Sequence, residues 1–285
     1  MGRMNTQKIM SIGAHADDVE IGSGGTLAKC HDQGYEIVYV MSTNNMSGGV
    51  QEMQPDGSIK RWKETPVPMM ARRKRECADA AALLGTEPIH LDHPQRHYNA
   101  PEGGQAELRY GCKLPEGVAE DVPSIVTASE DEESRKRLVH LILEHDPACI
   151  FSHGMIAVNV EHVATSILAT KCYWQAVEAG YKGALLHWRE DCTSFGVTNA
   201  QWDTFVDISS CLDRKMELIG KHACQMPTAH DPNHGHRLRA MKYGVACGCK
   251  AAEVFTWVAH DRRPDLDSTL PFYSPLLVEL IQNTR

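Results

Sequence analysis

The chain has 285 residues, enough for one large α/β domain or two small ones and for a sizeable core without disulfide support. Its 29 basic and 37 acidic residues give a formal charge of −8, which argues against a general nucleic-acid binder; "RRKR" at Arg72–Arg75 is the only basic run. No run approaches 18 apolar residues, so no membrane span is expected, and the opening "MGRMNTQKIMSIG" lacks the apolar stretch of a signal peptide.

Lys8–Gly13 reads as a short buried strand, "GGTLAKCHDQGY" as a helix closed by Gly34, and "EIVYVMS" as a second strand. A polar, glycine-bearing loop is expected over about 43–64. "MMARRKRECADAAALLG" then reads as a helix stopped by Gly85, and "PIHL" as a third strand. The segment of about 93–129 is rich in Gly, Pro and Glu and has little periodicity; a loop this long is usually a functional lid or a disordered insert. "DEESRKRLVHLILEHDP" is a helix begun by acids and stopped before Pro147, "ACIFSH" a strand, and "VEHVATSILATKCYWQAVEAG" a long helix. After Gly183, "ALLHWRE" and "WDTFVDIS" read as strands and "SSCLDRKMELIGKHACQ" as a helix capped by Ser209 or Ser210. "HGHRLRAMKYGVACGCKAAEVFTWV" supplies a last helix and a last strand. Short apolar strands alternating with helices predict an α/β fold: a mostly parallel sheet with helices on both faces, in one domain over 1–285 with an elaborated C-terminal part.

Ten cysteines, scattered through contexts such as "LAKC" and "TKCYW", read as buried free thiols of a reducing, cytoplasmic protein. "CGC" at Cys247–Cys249 has the wrong spacing for a zinc knuckle.

Sheets of this kind bind ligands beyond the carboxyl ends of their strands. Just there, "IMSIGAHADDVEIGSGGT" places His15, Asp17 and Asp18. In a tight turn His15 and Asp18 can converge on one cation, with nitrogen and oxygen donors that suit Zn²⁺. Asp17 is then available as a proton acceptor. The plain alternative is that Asp17 and Asp18 cap the following helix. A second strand end, "ACIFSHGMIAVNVEHVAT", offers His153 and, in the first turn of a helix, His162 preceded by Glu161. A third ligand from this turn completes the three-ligand arrangement that leaves a coordination position for water. "GSGG" at Gly22–Gly25 is not a dinucleotide fingerprint and instead permits close helix–strand packing.

His15-Ala16-Asp17-Asp18-Val19-Glu20 followed by "IGSGGTLA" resembles the His-Pro-Asp-Asp-x-Glu opening of the LmbE-like, or PIG-L, deacetylases. "RKRECADAAALLG" is similar to that family's Arg-x-x-Glu helix, "IHLD" to its following strand, "FSHGMIAVNVEHVAT" to its His-Pro-Asp-His segment, and "KHACQ" with "AAEVF" to its C-terminal signatures. The resemblance spans most of the chain. It implies a Rossmann-like fold and a zinc-dependent N-deacetylase of N-acetylglucosamine-containing substrates. Carried over by position, His15, Asp18 and His162 would hold the metal, Asp17 would be the general base, and Arg73 and Asp92 would contact substrate. A His₂Asp set also admits Fe²⁺, Co²⁺ or Mn²⁺. The resemblance points to a small-molecule amino-sugar partner and leaves a homo-oligomer open.

Two positions depart from the pattern. Ala16 replaces the usual proline, which loosens the turn but removes no chemical group. Asn159 stands where the family has a histidine that helps stabilise the oxyanion, and asparagine can donate a hydrogen bond but carries no proton or charge. His153, or a histidine of "AHDPNHGH" (His230, His234, His236), is a candidate substitute. Trp62, Tyr98 and Trp188 are candidate sugar-stacking walls. Two rival readings stand beside the deacetylase: an amidase acting on a non-sugar amide, and a metal- or sugar-binding protein with little catalysis.

Overall fold

The computed structural model describes residues 7–108, 114–157, 159–189 and 202–258. The chain opens with β1 (Lys8–Gly13), α1 (Asp18–Asp32) and β2 (Glu36–Thr43), then a hairpin of β3 (Gly49–Met53) and β4 (Ile59–Lys63), α2 (Pro66–Ala82) and β5 (Pro88–His93). A second hairpin, β6 (His97–Asn99) and β7 (Gln105–Glu107), precedes the single turn α3 (Ile125–Ala128), α4 (Glu132–His145), β8 (Cys149–His153) and α5 (Val160–Glu178). The last elements are β9 (Ala184–Trp188), β10 (Thr204–Asp207), α6 (Leu212–Gly220), α7 (Gly235–Cys247) and β11 (Ala252–Trp257).

Seven strands form one sheet in the order β10-β11-β9-β8-β1-β2-β5. From β5 to β9 neighbouring strands run parallel; β11 and β10 extend that edge antiparallel. Strand alternation assigns each residue to a face. Ile9, Tyr39, Met41 and Phe151 pack with Leu27 of α1, Cys77 of α2 and Leu218 of α6. Met10, Ile12, Val38, Val40 and Ile150 pack on the opposite face with Leu138 and Ile142 of α4 and Leu168 of α5. Because both faces are covered, these strands read as near-continuous apolar runs, which is why the sequence exposed them.

The sheet winds outward in two directions from β1: β2 lies on one side and β8 on the other. That reversal opens a crevice beyond the carboxyl ends of β1 and β8.

The segments expected as loops hold more structure than their polarity suggests. The 43–64 stretch contains the β3–β4 hairpin, and the 93–129 stretch contains β6–β7 and α3. β4 is almost wholly exposed or half-exposed, so it needs no apolar alternation and reads as loop. α1 starts at Asp18 rather than in the glycine cluster. Gly22 and Gly25 sit inside it because a Cβ at Gly22 would lie 2.3 Å from the Trp188 ring, and one at Gly25 would lie 2.6 Å from Ile208. The cap of α6 is Cys211, since the Ser209 hydroxyl is taken by Asp207 Oδ1 at 2.5 Å.

Every described cysteine is free, and all but Cys249 are buried. Among the described residues no helix is long and apolar enough to cross a membrane.

Candidate metal centre

The chain leaves β1 at Gly13 and turns at once into α1. Asp17 is the residue before that helix, at φ 113° and ψ −26°, a conformation costing a non-glycine residue about 1–3 kcal/mol. Neighbours hold it there. Ala16 N–H donates to Asn45 Oδ1 at 2.8 Å, the Arg73 guanidinium donates to the Ala16 carbonyl, and Ile21 N–H donates to the Asp17 carbonyl at 2.9 Å. Neither acid serves as a plain helix cap: Asp17 makes no capping hydrogen bond, and Asp18 Oδ2 accepts the His15 N–H at 2.6 Å.

His15, Asp18 and His162 offer ligand atoms that all lie within 4.8 Å of one another. His15 Nδ1 is 3.0 Å from His162 Nε2 and 3.2 Å from Asp18 Oδ2, and Asp18 Oδ1 is 3.4 Å from His162 Nε2. A tetrahedral cation with bonds of about 2.0–2.1 Å sets its ligand atoms about 3.3 Å apart, so this donor set fits one small cation. His15 donates its other nitrogen, Nε2, to Glu161 Oε2 at 2.5 Å. That carboxylate also accepts Gln95 Nε2 at 2.9 Å and the Arg96 N–H at 2.7 Å. A carboxylate on the far nitrogen of an imidazole sets its tautomer and ring orientation. Here it turns Nδ1 toward the cluster.

The charges are tightly coupled. Burial opposes a charged His15, yet the hydrogen bonds to Asp18 and Glu161 prevail and push it up to about 10. Burial also opposes the Asp18 carboxylate, but the imidazoles of His162, His153 and His15 hold it well below the usual carboxylate range. At Asp17 burial prevails: aided by Asp18 and opposed by Arg73, it pushes that carboxyl up. Arg73 Nη2 lies 3.2 Å from Asp17 Oδ2, and both side chains are nearly inaccessible. Beneath them the third acid of the opening stretch, Glu20, is fully buried; it accepts the Tyr39 hydroxyl at 2.9 Å and lies 3.0 Å from His222 Nε2.

His15, Asp17, Asp18, Arg73, Glu161 and His162 floor a pocket of about 560 Å³ whose other walls come from Ser47, Gly48, Gln95, Arg96, His97, Asn159 and Gln225. Ile21 is its only sizeable apolar lining residue among the described residues. Residues 10–173 match the family described as PIG-L, GlcNAc-PI de-N-acetylase.

The chain belongs to the PIG-L family. A diacetylchitobiose deacetylase of Thermococcus kodakarensis is 31% identical over 260 residues, covering 89% of this chain and 84% of that protein. Among solved structures, the N,N'-diacetylchitobiose deacetylase of Pyrococcus horikoshii superposes with a TM-score of 0.61 at 20% identity, over 89% of this chain and 84% of that one. A 4-carboxy-2-hydroxymuconate hydratase of Pseudomonas putida superposes at 0.63 with 19% identity, over 93% and 99%. At such identities the likeness is one of fold, and a hydratase on the same fold means that the reaction has to be argued from the site.

In this PIG-L chain, His15, Asp17, Asp18, Arg73, Asn159 and His162 all line the one pocket. Asp92 does not. It lies at the end of β5 at φ 59° and forms an ion pair with Lys74 at 2.7 Å. His153 also stays out of the pocket: its Nε2 accepts the Ala14 N–H at 3.0 Å, and its ring stacks on His162 at 4.2 Å. It thus buttresses a candidate ligand from behind. His230, His234 and His236 do not line the pocket either; His230 packs near Gly220, and His234 caps α7. Neither do Trp62, Tyr98 and Trp188. Trp188 packs edge-on against His153 at 4.6 Å.

Asn159 Oδ1 accepts the Glu161 N–H at 2.9 Å, so this residue caps α5 and aligns the turn that carries Glu161 and His162. Sequence reasoning did not single out Asn45, Gln95, Arg96 and His97. The last three follow the β5 strand end in "LDHPQRHY", which by position alone marked them as near a ligand crevice.

Proposed function

We propose that this protein is a zinc-dependent N-deacetylase that removes an acetyl group from an amino sugar or its conjugate. The observation that carries the proposal is Asp17. It is a buried carboxyl held beside a three-ligand cluster at the floor of a polar pocket, committed to Arg73 and not to helix capping. The polar lining supports a hydroxyl-rich substrate over an apolar amide.

His15, Asp18 and His162 would hold the metal, which supplies Lewis acidity toward an amide carbonyl and makes water more acidic. The protein groups do the rest. Asp17, with its proton affinity raised by burial, accepts the proton of the attacking water, and a carboxyl whose pKa lies nearer neutrality suits that task. Arg73 holds Asp17 Oδ2 in place through the transfer. Asn159 spends its carbonyl oxygen on the Glu161 N–H, leaving its amide N–H donors for the oxygen that gains charge. Asp17 then returns the proton to the departing amine.

The test is acetate release from N-acetylated sugars and simple amides by zinc-loaded protein and by Asp17→Asn. Wild-type turnover on a sugar, lowered about 10²–10⁴-fold in the variant at unchanged zinc content, is expected. Turnover confined to non-sugar amides would replace this reading with an amidase. No turnover with zinc bound would replace it with a binding protein.

A further inference from the structure

The acids of the pocket are all committed within the site. Asp17 pairs with Arg73, Asp18 lies among His15, His153 and His162, and Glu161 is shared by His15, Gln95 and the Arg96 backbone. The wall formed by Arg96 and His97 is different. Both residues are half-buried and line the pocket, and neither side chain has a hydrogen bond or ion pair among the described residues.

This wall is held at both ends. On one side Arg96 N–H donates to Glu161 Oε1 at 2.7 Å, and Gln95 bridges from Glu161 Oε2 to the Ser47 N–H, at 2.9 and 2.8 Å. On the other, Asn99 shares a strand face with His97 and donates to the carbonyls of Gly48 and Glu64 at 2.8 and 2.7 Å. The segment is therefore pinned to the candidate ligand cluster through Glu161 and to the pocket lining at Gly48. It presents a guanidinium that no carboxylate of the described chain satisfies. An arginine fork is matched by a carboxylate or phosphate, and such charge-assisted pairs are the strong ones. A neutral sugar would leave that group to water.

We propose that the substrate carries an anionic group, a carboxylate or a phosphate, near its acylated nitrogen, and that Arg96 binds it with His97 beside it. This rests on the hydrolase reading of the same pocket.

The experiment uses the full zinc-loaded chain and three probes: N-acetylglucosamine, N-acetylglucosamine 6-phosphate and N-acetylmuramic acid. Wild type is expected to favour one of the two anionic probes by about tenfold or more in kcat/KM, and the favoured probe identifies the anion. Arg96→Gln loses that preference through KM, while Arg96→Lys keeps part of it. Calorimetric titration with glucosamine and its 6-phosphate, and with muramic acid, reads the same preference without turnover. Equal kcat/KM on all three probes, or an equal loss on charged and neutral probes in Arg96→Gln, overturns the anion site and leaves the hydrolase reading standing. Turnover of no probe, with an anionic amine still bound more tightly by wild type than by Arg96→Gln, overturns the hydrolase reading and supports the anion site. Absence of both effects overturns both.

Discussion

Glu161, on the first turn of α5, reaches His15 in the turn after β1, with Oε2 2.5 Å from Nε2, and so turns His15 Nδ1 toward Asp18 and His162. Glu161→Gln preserves the shape but replaces the carboxylate with an amide. Zinc affinity is expected to fall about 10–100-fold, read by competition with a chromophoric chelator. Unchanged affinity would mean that His15 keeps its orientation without this carboxylate.

The same pair sets a pH dependence. In the metal-free protein His15 is raised from 6.5 to about 10, because Asp18 and Glu161 outweigh burial. Glu161 is lowered from 4.5 to about 2, because His15, Gln95 and the Arg96 N–H outweigh burial. The His15 contribution to stability is full below 6.5 and is lost as pH rises toward 10; the Glu161 contribution is full above 4.5 and is lost as pH falls toward 2. The metal-free melting temperature should therefore be highest between 4.5 and 6.5 as far as this pair decides it. Zinc binding requires neutral His15, so the rise in Tm on adding zinc should grow from about pH 6 to about pH 9. Scanning calorimetry with and without chelator measures both, and a zinc increment independent of pH would contradict the coupling.

Asn159 has a structural task whatever else it does, since its Oδ1 caps α5. Asn159→Ala is expected to lose about 1 kcal/mol in chemical denaturation, and Asn159→Asp to keep the cap. Asn159→His retains an acceptor nitrogen and brings the imidazole of the family pattern, so deacetylation should be equal or higher. A large loss of turnover at unchanged stability would show that an imidazole cannot replace the asparagine amide as the donor to the substrate oxygen.

Gly22 carries a packing constraint that reaches the site through Trp188. Gly22→Ala drives a Cβ into the indole at 2.3 Å, and that indole packs on His153, whose Nε2 is 3.2 Å from Asp18 Oδ2. A loss of about 1–3 kcal/mol is expected, accompanied by weaker zinc binding. Gly235→Ala is the control, because no atom beyond its chain neighbours and its own helix backbone would lie within 4 Å of the added Cβ, and its stability should change by less than about 0.5 kcal/mol. Equal effects at the two glycines would remove the steric argument.

The sequence by itself determined the strands and helices that bury apolar faces, and it singled out His15, Asp17, Asp18 and His162. Those features are local: a buried strand must be apolar along its length, and the spacing of His15 and Asp18 lets one turn bring them together whatever the rest of the chain does. Exposed ribbons such as β3–β4 carry no such pattern and are indistinguishable from loop in the sequence. Only the tertiary structure decided which distant groups meet. Glu161 lies 146 residues from His15, and the two touch because sheet order sets β8 beside β1. The same order withdraws His153 behind Asp18 and brings Arg96 and His97 to the pocket wall, while Asp92 at the end of β5 pairs with Lys74. Strand order depends on how whole faces pack against helices, and residue spacing along one segment does not record it.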